Sequence, residues 1–475
     1  MRHPLFFASP ALCVVLLATG CGQLAPDRAA HVVTGYTSHQ LCSSIFLGGR
    51  DGDGAFHEIV EPMSPTLSRL ISYHVDPDSR SVSARLAGTA ASQSVYQAPF
   101  GCTRLPEGAG ADAFRAARGA APTSVAVSYD PIESLAPASV VQSANPALVE
   151  ALDHAFLEPD APPHRWTKAI VVVHHDRIIA ERYAPGVGID TPLTGWSSTK
   201  SVTSALIGIL VREHRVTVDG PAPVAEWADA RDPRRVISID NLLRMESGLD
   251  AGSSLNTGAT SAFDRAAQMT FVEDDTASFA AGSALREPPG TVWNYTDANY
   301  QILSRIVRDE AGGNAQATDA FVRRELFDRL GMRHATLEFD AAGTPLGASH
   351  LWAPAREWAR FGLLYLHDGV IGGERILPAG WVEYSARETP GSGYAGYGAG
   401  FWTNRGEGSG PAYRIAGGMP ADTFMTRGTN GQFVLIIPSH DLVIVRLGNA
   451  WTTRGEIDAI NRLVREVIAG LDAKG

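Results

Sequence analysis

Short apolar runs of strand length sit at both ends of the chain's second part. Ala169 to Val173 and Ile178 to Tyr183 are separated by His175-Asp176-Arg177, which predicts a hairpin. Gln432 to Ile437 and Leu442 to Leu447 form a second such pair around Pro438-Ser439-His440. Helical spacing marks Ala147 to Leu157, Val202 to His214 and a last run from Gly455 to about Leu471. The middle, Val218 to Gly373, is mostly helical in pattern with turn-rich connections. Strands at both ends of a helical middle indicate an α/β fold, a sheet closed by the two ends of this region with an inserted, mainly helical lobe.

The first part of the chain reads differently. Residues 1–21 have the layout of a lipoprotein-type signal peptide: Arg2 and His3, an apolar stretch from Leu5 to Leu17 interrupted by Pro10, then Leu17-Ala18-Thr19-Gly20-Cys21. Small residues directly before Cys21 match a bacterial lipobox, with Cys21 as the lipid-bearing residue; an ordinary cleaved signal is the alternative. Gly22 after that cysteine favours an outer-membrane lipoprotein facing the periplasm, and an ordinary signal would leave the protein periplasmic. Residues 22–122 form an N-terminal extension. It consists of a short tether (22–35), a compact segment with strand-like runs at Ile71 to Val75 and Ser81 to Leu86 around Pro77-Asp78, and an Ala/Gly/Pro-rich linker (106–122). The main domain is expected over 146–475. Cys42 and Cys102 remain once Cys13 and Cys21 are assigned to the signal and the anchor. In an oxidising compartment that pair suggests one disulfide, with two separate buried thiols as the alternative.

A formal net charge of −11 leaves no basic stripe for phosphates, which argues against a nucleic-acid partner. No zinc-type spacing occurs, and no metal or cofactor is expected. The positive charges themselves are informative. Only three of the 40 basic residues are lysines: Lys168 before an apolar run, Lys474 next to last, and Lys200 three residues after Ser197. Arg cannot lose its proton at physiological pH, whereas a desolvated Lys can become a base. Gly195-Trp196-Ser197-Ser198-Thr199-Lys200 therefore reads as a Ser-x-x-Lys pair at the head of an apolar helix, with both side chains on one face. The helix N-terminus favours the alkoxide that forms as the serine attacks. The plainer alternative is an N-cap serine and a solvated lysine.

A second motif, Pro289-Gly290-Thr291-Val292-Trp293-Asn294-Tyr295-Thr296-Asp297-Ala298-Asn299-Tyr300, and an intervening helix ending in Ser247-Gly248-Leu249 add to this. Together they resemble the serine β-lactamase and penicillin-binding-protein superfamily, most closely its class C-like esterase and 6-aminohexanoate-dimer hydrolase branch, over about residues 146–470. The resemblance implies that family's antiparallel sheet flanked by helices. It also implies that Tyr295 completes the catalytic group with Ser197 and Lys200, passing a proton between them and the leaving group. Asp297 departs from the pattern, where Asn is usual; an acid there would hold Lys200 charged and make it a poorer base. The family's Lys-Thr-Gly strand is missing. Phe424-Met425-Thr426-Arg427-Gly428-Thr429-Asn430-Gly431-Gln432 matches that region and looks like the Gly-x-x-Gly-Gln form of the amide-hydrolase branch. A backbone N–H near Gly428 is then the expected second oxyanion donor. Arg427 is either a ligand for a substrate carboxylate or a solvated strand-edge residue. His174 and His175 fall near a hairpin turn and read as surface residues. Glu273-Asp274-Asp275 reads as a solvated loop rather than a cation site.

These readings lead to an exported serine hydrolase acting on a small amide or ester through an acyl-enzyme on Ser197. The contrasting reading is a non-catalytic cell-envelope protein that uses the same fold to bind peptidoglycan-type peptides.

Overall fold

The computed structural model describes residues 26–473 apart from 89, 121–134, 136, 256–258 and 453–455. The signal and lipobox, with Cys21, lie outside the described residues.

Both predicted hairpins form and meet in one six-stranded antiparallel sheet. Its order is Trp402–Thr403, Phe424–Gly428, Gln432–Ile437, Leu442–Gly448, Thr167–His174 and Arg177–Tyr183. The C-terminal hairpin thus pairs directly with the N-terminal one, Val443 opposite Val173 and Val445 opposite Val171. Every residue of Gln432–Ile437 and Leu442–Gly448 is buried, which is why these strands are written mostly as apolar runs, with Gln432 and Arg446 as exceptions, rather than as an alternation. Helix Ala355–Leu366 packs across three of the strands, and Gly362 allows it close, since a Cβ there would stand 2.6 Å from Val443. Helices Pro146–Phe156 and Ile457–Asp472 pack on each other, and the first of them packs against the sheet's N-terminal hairpin. The intervening lobe is helical, as its pattern indicated.

The N-terminal segment departs from its reading as a tether. Pro26–Phe46 is a helix, and it is buried along nearly its whole length from Val32 onward. It lies on a four-stranded antiparallel meander, Ile71–Asp76, Ser81–Leu86, Ala90–Gln97 and Gly101–Arg104, whose first hairpin turns where Pro77-Asp78 predicted. Several of the helix's polar residues are matched by partners: Thr34 bonds Ser92, Ser38 bonds Ser94, and Ser43 donates to Glu338. Such satisfied burial produces no amphipathic stripe, so the sequence pattern concealed the helix. Cys42 and Cys102 are disulfide-bonded and fully buried, fastening the helix to the last strand of the meander. Within the predicted linker, Ala111–Arg118 is a helix.

Ion pairs fasten this unit to the rest of the chain. Arg28 pairs with Glu273 and Arg104 with Asp274, so two of the three acids read as a solvated loop are docking contacts; Asp275 caps the helix Thr276–Ala281. Glu58 receives Lys168 at 2.6 Å and Arg50 at 2.5 Å. Burial raises its pKa, but the two cations outweigh burial and hold it below the usual carboxylate range. No described helix is long and apolar enough to cross a membrane, and the disulfide is consistent with an extracytoplasmic location.

Candidate active site

Ser197 belongs to a single 3-10 turn, Trp196–Ser198, that runs straight into the helix Thr199–Arg212. Trp196 holds a left-handed φ of 45°, uncommon for a bulky residue and a local strain at the turn that presents the serine. Two glycines let neighbouring parts of the chain close on this turn. A Cβ on Gly195 would lie 2.2 Å from the Trp358 ring, and one on Gly428 would lie 2.2 Å from the Gly195 carbonyl oxygen. The strand Phe424–Gly428 can therefore reach the nucleophile turn only because residue 428 has no side chain.

Lys200, one helical turn on, is 1% exposed. Its ammonium donates to Ser197 Oγ at 2.9 Å, to Asp297 Oδ1 at 2.5 Å and to the Ala348 carbonyl at 2.9 Å. Three donors meet three acceptors, which is the arrangement of a charged lysine. Burial opposes that charge, yet Asp297 and Tyr295 outweigh it, and the lysine pKa stands above its ordinary value. Asp297 thus stands where it favours the charged lysine, against the expectation that burial alone would favour the free base.

Asp297 opens the helix Asp297–Ala311, where the helix N-terminus favours its negative charge, and its N–H donates to Ser254 Oγ at 2.8 Å. Tyr295, two residues earlier, is buried in a ring of aromatics: Tyr397 at 5.5 Å edge-on, Trp402 at 5.6 Å and Trp293 at 6.2 Å between centroids. Lys200 Nζ lies 5.0 Å from the Tyr295 ring centre. The Ser247-Gly248-Leu249 turn holds this loop in place. Gly248 takes φ 73° with its carbonyl accepting from Arg286 and Glu287, and Ser247 donates to Asn299 at 2.7 Å.

On the opposite wall, the three-residue loop Thr429-Asn430-Gly431 joins Gly428 to its partner Gln432. The fully buried Gln432 side chain donates to the Thr429, Asn430 and Gly448 carbonyls and accepts from the Gly448 N–H, which clamps the loop to the next strand. Arg446 supports it from below, donating to the Asn430 and Gly431 carbonyls, with its pKa lowered to about 10 by burial. Arg427 stands next to Gly428 on the strand Phe424–Gly428. It lies half-buried over the Trp402 ring at 4.8 Å and Phe433 at 5.8 Å; burial lowers its pKa against the pull of Tyr295.

Ser197, Tyr295, Arg427 and Gly428 all line one cavity of about 640 Å³, with Lys200 and Asp297 beneath it. All six residues singled out from the sequence thus converge. His174 and His175 sit away from it at their hairpin turn, where His175 faces Asp441 at 2.5 Å. Sequence reading missed the Ala348 carbonyl, since a backbone acceptor leaves no residue-type signal. It also missed the wall supplied by the N-terminal helix: Val32, Val33 and Tyr36 line the same cavity. Behind the nucleophile turn, His39 and His350 stack at 4.6 Å, with Glu338 beside them accepting from Ser43, the Cys102 N–H and Trp352. Burial pushes the His350 pKa well below its ordinary value, helped by His39 and Lys200, so this junction of helix and main domain holds His350 neutral.

Comparisons with known proteins agree with the fold. The chain is 28% identical over 293 residues to the 6-aminohexanoate-dimer hydrolase of Paenarthrobacter ureafaciens, covering 60% of this chain and 72% of that protein. Among solved structures it resembles a candidate 6-aminohexanoate-dimer hydrolase from Bacillus anthracis, with TM-score 0.57 and 19% identity over 72% of this chain and 90% of the other. It also resembles a penicillin-binding-protein homologue from Caulobacter crescentus, with TM-score 0.53 and 16% identity over 70% and 98%. These structural likenesses speak for the fold. Residues 163–469 match the family model described as Beta-lactamase, and the chain belongs to the β-lactamase family.

Proposed function

We propose that the protein is an exported serine hydrolase that cleaves a small amide or ester through an acyl-enzyme on Ser197. The observation that carries this reading is the Lys200 ammonium, saturated by Ser197, Asp297 and Ala348 at the floor of a cavity that Ser197 and Tyr295 line. Ser197 Oγ bonds to the carbonyl carbon as the bond to the leaving nitrogen or oxygen breaks. Because Lys200 already donates to Ser197 Oγ, the serine's own proton goes to the Tyr295 oxygen as the phenol gives its proton to the leaving atom, so Tyr295 ends as it began. Lys200 acts as the fixed cation of this relay rather than as its base. Charge that builds on the phenol oxygen during transfer faces Lys200 and Arg427. The Ser197 N–H and a backbone N–H at Gly428 would hold the carbonyl oxygen. Water then adds to the acyl-serine, releasing the acid and restoring the hydroxyl.

Arg427, beside Tyr295, would bind a carboxylate on the leaving half of the substrate. An amide or ester is favoured over a β-lactam because the chain has no Lys-Thr-Gly, and Phe424 to Gln432 stands in the matching region. Turnover of nitrocefin at the rate of the best ester would reverse that preference. The residues before Cys21 support export and a lipid anchor.

The test is intact-mass analysis after treatment with a fluorophosphonate, with Ser197→Ala alongside. One adduct on the wild type and none on the variant is the expected result. No adduct on either would overturn the hydrolase reading in favour of a peptide-binding envelope protein.

A further inference from the structure

We propose that the N-terminal extension builds the acyl subsite of this cavity, so that the protein takes amides or esters of apolar acids of about octanoyl size in preference to acetyl ones. This rests on the serine-hydrolase reading and adds to it the class of acid. The cavity has two unlike sides. Tyr295, Trp402 and Arg427 stand on one, and since Tyr295 hands its proton to the leaving atom, the leaving half of the substrate lies there. The other side continues from Trp196, next to the nucleophile, into the extension: Tyr36 stacks on Trp196 at 6.0 Å and meets Phe271 edge-on at 5.3 Å. Val32, Val33, Met63 and Leu67 complete that wall.

The wall is apolar by construction. The Tyr36 hydroxyl donates to the Ile59 carbonyl, so its polar end is already bonded. Val32 and Val33 are 5% exposed and belong to a small apolar cluster with Ala29 and Ala262, against which Leu67 and Phe271 pack. All of these extension residues lie outside residues 163–469, the part that matches the family model. A cavity of about 640 Å³ falls in the range that encloses drug-sized ligands. An acetyl group would leave this wall against water, whereas an octanoyl chain would cover it.

The experiment compares kcat/KM for N-octanoylglycine and N-acetylglycine, and for the p-nitrophenyl esters of the same two acids, on the purified protein. An octanoyl preference of about 100-fold is expected, short of the roughly 3,000-fold that six fully buried methylenes would give. In Met63→Ser/Leu67→Ser the ratio falls by about 10-fold or more; both side chains are only half-buried, and a ratio measured on one preparation is insensitive to partial misfolding. Octanoyl substrates cleaved no better than acetyl ones, or a ratio unmoved by the double variant, would overturn the proposal. If a fluorophosphonate still labels Ser197 in that case, only the acyl subsite fails. If it does not, the hydrolase reading fails with it.

Discussion

Asp297→Asn isolates the electrostatics of the site, because asparagine keeps the oxygen that Lys200 donates to and removes only the charge. Lys200 is 1% exposed and its ammonium lies 2.5 Å from Asp297 Oδ1. At an effective dielectric of about 20, unit charges about 3 Å apart attract by roughly 5–6 kcal/mol. Breaking a buried pair by neutralising one partner typically costs about 3–5 kcal/mol. The lysine has an escape, however: it can release its proton. From the ordinary value of 10.5, that release costs about 5 kcal/mol at pH 7 and only about 2 kcal/mol at pH 9. The variant's penalty for the unpaired lysine is therefore capped near 5 kcal/mol at pH 7 and near 2 kcal/mol at pH 9. In the wild type the folded-state lysine pKa lies above 10.5, so its contribution is fully present below that pH and is lost only as pH rises through the folded value. Between pH 7 and 9 the wild-type term is constant and the variant's penalty shrinks. Denaturant unfolding followed by tryptophan fluorescence at both pH values measures the gap, which should narrow by about 1–3 kcal/mol. The pH profile of kcat/KM gives the second readout, with an alkaline decline in the variant well below that of the wild type. A gap equal at pH 7 and 9 would refute the reasoning, since Asp297 would then not be what keeps Lys200 charged.

Gly428→Ala should lower kcat by about 100-fold or more while moving KM less. The new Cβ would meet the Gly195 carbonyl at 2.2 Å and push the strand off the nucleophile turn, and a misplaced oxyanion donor costs on that order; unchanged kcat would remove Gly428 from the site. Cys42→Ser/Cys102→Ser opens a loop of sequence separation 60, worth about 4 kcal/mol by loop entropy. Thermal unfolding should fall accordingly, together with the preference for octanoyl substrates, since the disulfide secures the helix that carries Val32, Val33 and Tyr36; an unshifted transition would contradict this.

The sheet and the convergence of six candidate residues were legible for physical reasons. Both hairpins are short β-branched runs closed by turn residues, a local signal that needs no tertiary context. Ser197, Lys200 and Tyr295 stood out because reactive side chains at fixed spacing on a helix head and a loop carry their geometry in the sequence. The helix Pro26–Phe46 was not legible, because Thr34, Ser38, Gln40 and Ser43 look solvated until Ser92, Ser94, His350 and Glu338 arrive from elsewhere in the chain. For Arg427 the sequence left two readings open, because nothing in it tells that the rings of Trp402 and Phe433 lie beneath the side chain. Polar residues buried against distant partners are what a pattern of polarity cannot place.

The aspartate at position 297 and the docked extension belong to one design. The extension's helix seals the back of the nucleophile turn, with Tyr36 on Trp196 and Gln40 against His350, a ring that burial and the nearby Lys200 charge keep neutral and that offers the lysine no counter-charge. Each layer of cover removes water that would otherwise solvate the Lys200 ammonium. An open cleft could leave that task to solvent and to a neutral amide; a covered one cannot, because the cost of an unpaired buried ammonium grows as water is excluded. A carboxylate at 297, set at a helix N-terminus that favours it, supplies the missing counter-charge while the apolar wall stays intact. On this argument the penalty of Asp297→Asn at pH 7 should be smaller when the extension is loosened by removing the Cys42–Cys102 bond than when it is in place. Stabilities of the four combinations form a double-mutant cycle that measures the coupling. Strict additivity would separate the two features and leave the aspartate unexplained by the cover.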